Sequence, residues 1–113
     1  MAFHLSRESA IDIWLENTGK RWVALDCNSL RLALPRNKIT PPFPVKQGET
    51  YELAPSNKVL FQTIMGTHAG KLVQDFGFSG KVPFKVQLLS TEGKRFKSKR
   101  TVLNTVTGEI SDT

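Results

Sequence analysis

Residues 11–16 read Ile11-Asp12-Ile13-Trp14-Leu15-Glu16, with an aliphatic side chain at every second position. Successive side chains of a strand point to opposite faces, so Ile11, Ile13 and Leu15 share a core face that a helix would scatter. This constraint recurs. Val23, Leu25 and Cys27 alternate with polar or small residues in 21–27, Leu30, Leu32 and Leu34 do so in 30–34, and Phe84, Val86 and Leu88 alternate with Lys85 and Gln87. Asn17-Thr18-Gly19-Lys20 supplies turn chemistry between the first two segments, which predicts a β-hairpin. The third segment extends that hairpin to a meander.

The alternation then stops. Four prolines between Pro35 and Pro44 fix φ and remove amide donors, so residues 35–48 are expected to form a crossover loop or sheet edge, anchored by Phe43. Residues 50–54 form a short strand. Residues 58–65 (KVLFQTIM) suit either a buried strand or a two-turn helix capped by Ser56, and their β-branched and aromatic content favours the strand. A glycine loop at 66–70 leads to a further strand at 72–78. The segment around 84–88 turns at Ser90-Thr91-Glu92-Gly93 and pairs with 94–103 in a second hairpin. Residues 104–113 are polar and are expected to fray. The fold class predicted is all-β: one small antiparallel sandwich or barrel of about seven or eight short strands, spanning 1–103, with a polar tail at 104–113.

A chain of 113 residues fits one domain, which buries enough surface to fold without staples. Cys27 is the single cysteine, so an intrachain disulfide and a multi-cysteine metal site are excluded. No apolar run approaches the ~20 residues that span a bilayer, and the start lacks the pattern of a secretory leader, so a cytoplasmic protein without a membrane role is expected.

Catalytic constellations are weak. Cys27 with His68 and either Asp26 or Asp75 lists the types of a nucleophilic set, but alternation turns Cys27 to the apolar face, where a lone cysteine acts as a small hydrophobe. Asp12 and Glu16 share a strand face but stand ~13 Å apart. His4 and His68 make no metal-ligand spacing with the acids. The loop Gly66-Thr67-His68-Ala69-Gly70-Lys71 lacks phosphate-loop spacing, and Leu72 stands where Ser or Thr is required. The chain is therefore read as a non-enzyme that needs no metal or cofactor.

Charge is the informative quantity. Residues 1–56 hold seven Lys/Arg against six Asp/Glu, whereas 57–113 hold nine against four, so +5 of the net +6 lies in the second half. Five cations fall in the heptad KRFKSKR at 94–100. On a regular strand Arg95, Lys97 and Lys99 form a ladder ~7 Å apart on one face, with Lys94, Phe96 and Arg100 on the other. Such a spacing is comparable to the phosphate repeat of an extended single strand. Lys85 on the preceding strand widens the patch. Trp14 and Trp22 lie out of phase with the apolar faces, which suits stacking platforms for bases. The expected function is binding of single-stranded nucleic acid or another polyanion through Lys85, Lys94, Arg95, Phe96, Lys97, Lys99, Arg100, Trp14 and Trp22. Two other readings compete. Lysines on an edge strand also guard against edge-to-edge aggregation. Trp14, Trp22 and the proline-rich loop also suit the interface of a protein-interaction or assembly module, of the phage or mobile-element accessory type or a homo-oligomer.

Overall fold

A computed structural model of the chain describes residues 1–7, 10–43 and 49–112. Among these, the elements run β1 (Ala2–Arg7), β2 (Ala10–Glu16), β3 (Val23–Asp26), β4 (Arg31–Ala33), β5 (Thr50–Leu53), β6 (Lys58–Met65), α1 (Gly66–Asp75), β7 (Lys81–Leu89), β8 (Arg95–Lys97), β9 (Thr101–Asn104) and β10 (Ile110–Ser111). The strands form three antiparallel sheets, none closed into a barrel. Their orders are β1-β2-β6, β3-β5, and β10-β9-β7-β4 with β8 also paired to β7. The all-β antiparallel class predicted from alternation is what the chain adopts.

The core is built by the alternating residues themselves. Ile11, Ile13 and Leu15 of β2, Leu32 of β4, and Val82, Phe84, Val86 and Leu88 of β7 are all buried in one cluster with Phe61 of β6 and Leu103 of β9. Each such side chain contributes about 1.5–3 kcal/mol on burial, so the period-two pattern is also the main stabilising term.

The pairing of the first half differs from the hairpin expected. β2 pairs with β1 and β6, while β3 pairs with β5 and β4 with β7, so no meander forms. Asn17 causes the divergence. It is fully buried at the end of β2, and its Nδ2 donates to the carbonyls of Arg21 (2.7 Å) and Leu53 (3.0 Å). Its backbone N–H donates to Asn57 O, and Ser56 N–H donates to Asn17 O. A buried amide keeps its place only where its polar atoms are bonded, so Asn17 ties the chain to the β5–β6 turn and sends 18–22 across to another sheet.

Residues 66–75 form a helix, where a loop and a strand were expected. Buried Gly66, Ala69, Gly70 and Val73 recur at i, i+3, i+4 and i+7, which makes a helical stripe of small residues. It lies against backbone: a Cβ on Gly66 would collide with the Gly108 carbonyl, and one on Gly70 would come 2.6 Å from Thr105 O. The stretch after β9, expected to fray, folds back. Asn104 Oδ1 accepts the N–H groups of Val106 and Thr107, and Ile110 is buried as β10 pairs with β9. Within the proline-rich segment, Pro35–Asn37 makes one 3-10 turn and Phe43 is buried as an anchor, as expected, whereas 44–48 lie outside the described residues.

Candidate functional site

The second hairpin forms as predicted, but with a break that re-sorts its cations. Gln87 pairs with Lys97 and Phe84 with Thr101, so Ser98, Lys99 and Arg100 face only Lys85 and Val86. One extra residue in a strand is a β-bulge, which reverses the side-chain parity beyond it. Ser98 holds the bulge in place. Its backbone N–H donates to Val86 O (2.8 Å), and its Oγ accepts Val86 N–H (2.8 Å) and donates to Lys99 O (3.0 Å). The regular ladder of Arg95, Lys97 and Lys99 is thereby corrected: Arg100 replaces Lys99 on the outward face.

That face forms a cleft of about 430 Å³. β7 is its floor, because Gln87 pairs with Arg31 of β4 on one side and Lys97 of β8 on the other. The β8 side contributes Arg95, Lys97 and Arg100, and the floor contributes Lys85 and Gln87. Beyond β4, the turn contributes Leu34, Pro35, Lys38 and Ile39. The cleft thus has one cationic side and one largely apolar side. Its turn is strained: Arg36 (φ 60°) and Asn37 (φ 59°) are both left-handed, a conformation that costs non-glycine residues on the order of 1 kcal/mol each. Leu34 N–H to Lys38 O (2.7 Å) and the Ala33–Ile39 bridge hold it against β4.

Lys38 is a cleft residue that sequence reasoning missed, because the proline-rich segment carries no periodicity to place it. Among the described residues, five cations, Lys38, Lys85, Arg95, Lys97 and Arg100, line the cleft and no acidic residue does. Outside the cleft, His4 Nε2 and Glu16 Oε1 share a hydrogen bond at 2.9 Å. A cleft walled by one sign of charge focuses its field and concentrates counter-ions.

The other predicted residues go elsewhere. Lys94, Phe96 and Trp22 line a second hollow of about 380 Å³ with Arg21 and Glu92. Phe96 packs against the core, and Lys94 Nζ lies 5.3 Å from its ring centroid, a cation–π arrangement. Trp22 is 65% exposed there. Trp14 is half-buried on the three-stranded sheet, opposite His4 and Leu60, with Lys58 Nζ 5.6 Å from its ring. Lys99 turns into a third hollow beside Ala2, Phe3 and His4, which Arg100 also borders. Of the two tryptophans expected as stacking platforms, Trp22 stands beside Lys94 and Phe96 and Trp14 lies on the three-stranded sheet, and neither lines the cationic cleft.

Cys27 is fully buried, and its thiol is pushed up from the usual range by desolvation and, secondarily, by the charge of Asp26. Such a thiol is a poor nucleophile. His68 is exposed on α1, edge-on to Phe43 at 6.4 Å between centroids. Among the described residues, no three of His, Cys, Asp or Glu converge as metal ligands, and no helix is long and apolar enough to cross a membrane. Comparison with known proteins returns no matching family model, no similar curated protein and no similar solved structure.

Proposed function

We propose that the protein is a non-catalytic binder of single-stranded nucleic acid, which lies along the cleft with its phosphates on Arg95, Lys97 and Arg100. Lys85 and Lys38 add to the same field from the floor and the opposite side. One observation carries this reading: cations from three separate chain segments converge on one cleft that no acid among the described residues lines. An aggregation guard belongs on an edge strand, and that explanation does not reach Lys85, which sits on the central strand β7 with a partner on each side. The apolar side formed by Leu34, Pro35 and Ile39 gives bases a surface to lie against. A cytoplasmic setting fits a chain whose lone cysteine is a buried free thiol.

Titration of a labelled single-stranded oligonucleotide at two salt concentrations tests the proposal. Affinity is expected to fall with salt, log affinity against log salt having a slope of about −0.7 per phosphate contact. Absence of binding at low salt contradicts it. The exposed Trp22 favours a second reading, a protein partner or a second copy of this chain docking at the far hollow. Light scattering that shows a monomer, with no partner recovered by the wild-type protein beyond those recovered by Trp22→Ala, contradicts that alternative.

A further inference from the structure

Gln87 lies on the cleft floor between β4 and β8 and is only 5% exposed. Its in-register neighbours, Arg31 and Lys97, are both rich in donors. Yet its Oε1 is buried and accepts no hydrogen bond, alone in this among the side-chain atoms of the described residues. Folded proteins seldom leave a buried acceptor without a donor, because it has lost its water and gained nothing in return. A methionine would fill the same space without that cost.

The orphaned atom specifies the chemistry of what would satisfy it. Phosphate oxygens only accept, so the ligand group that meets Oε1 is not a phosphate. Nucleobases carry N–H donors on their Watson–Crick edges, and single-stranded recognition reads those edges directly. We infer that the cleft reads one unpaired nucleobase, whose edge N–H donates to Gln87 Oε1. The ring lies against Leu34, Pro35 and Ile39, and the adjoining phosphate lies on Arg95, Lys97 and Arg100. Oε1 has almost no exposed surface in the ligand-free fold, so side chains of the cleft must move for the base to reach it. In a duplex the Watson–Crick edge is already paired, so the same contact selects single strands. This inference rests on the proposed nucleic-acid reading and adds to it a base-reading residue.

The test compares a short deoxy-oligonucleotide with an abasic strand of equal length, each titrated against wild type and Gln87→Met. The preference of the wild type for the base-bearing strand is expected to exceed that of the variant about tenfold, the effect of one good base-edge contact, with an unchanged salt slope. Ligand-free Gln87→Met is expected to melt no lower than wild type, because it removes an unpaired acceptor. Equal preference in the two proteins overturns the inference while leaving phosphate binding intact. A lower melting temperature also overturns it, since Oε1 then has a partner within the fold. Deoxy strands have no 2′-hydroxyl, so a Gln87 effect confined to RNA assigns the donor to ribose and overturns the base assignment. Failure of the wild type to bind either strand at low salt is a different result, which removes the nucleic-acid reading itself.

Discussion

The two faces of β8 carry the same kind of residue to opposite ends. Arg95 and Lys97 point into a cleft that, among the described residues, gathers three further cations and no acid. One residue earlier and one between them, Lys94 and Phe96 point to a hollow where the ammonium lies over the ring and Glu92 stands nearby. The first face leaves its charge uncompensated, which favours a polyanionic occupant. The second face largely satisfies itself, and leaves only Trp22 standing out. A cationic heptad is therefore not a single patch, and its parity decides which of its charges are available.

The largest expected effect breaks this contrast outright. Arg95→Glu with Lys97→Glu should weaken oligonucleotide binding roughly a hundredfold at low salt, as two attractive contacts become repulsive. Lys94→Glu, on the other face, should change it by less than about threefold, since a single screened charge outside the contact acts weakly. Equal losses, read by fluorescence anisotropy, would erase the distinction between faces. A change in the scaffold sharpens it from another side. Gly66→Ala should cost about 1–3 kcal/mol in chemical denaturation, because its Cβ meets the Gly108 carbonyl, while the folded fraction binds as before. Ser98→Ala should cost about 1–2 kcal/mol by stranding the Val86 N–H, and should also lower cleft affinity as Arg100 loses its fixed direction. The smallest effect is expected at Trp22→Ala: stability unchanged, and oligonucleotide affinity altered by less than about threefold, where base stacking on an exposed ring would cost more. A tenfold loss there would join the two hollows into one site.

Alternation identified most of the core and the sheet class, because burial on one face imposes a period that survives in the residues themselves. Pairing was not legible. Asn17 reads as an ordinary turn residue, yet its buried amide bonds Arg21 and Leu53 and routes β3 to a different sheet, a contact 36 positions away along the chain. The helix left a signal, the small residues Gly66, Ala69, Gly70 and Val73 at helical spacing, but its glycines resemble a loop until the backbone they pack against is known. Four of the nine candidate site residues, Lys85, Arg95, Lys97 and Arg100, do meet in the cleft. Arg100 does so only through the bulge at Ser98, and strand periodicity alone places it on the wrong face. Gln87 reads as a polar residue on an outward face; its missing partner exists only in three dimensions.

Arg100 and Lys99 are adjacent and alike in charge, and differ in the direction the bulge gives them. The salt dependence of single-stranded oligonucleotide binding by Arg100→Ala and Lys99→Ala therefore tests the cleft with net charge held equal. The account predicts that Arg100→Ala reduces the steepness of log affinity against log salt by about 0.7, one phosphate contact, while Lys99→Ala keeps the wild-type slope. Equal slopes for the two variants would contradict it, because the binding would then follow the charge of the segment rather than the face it occupies.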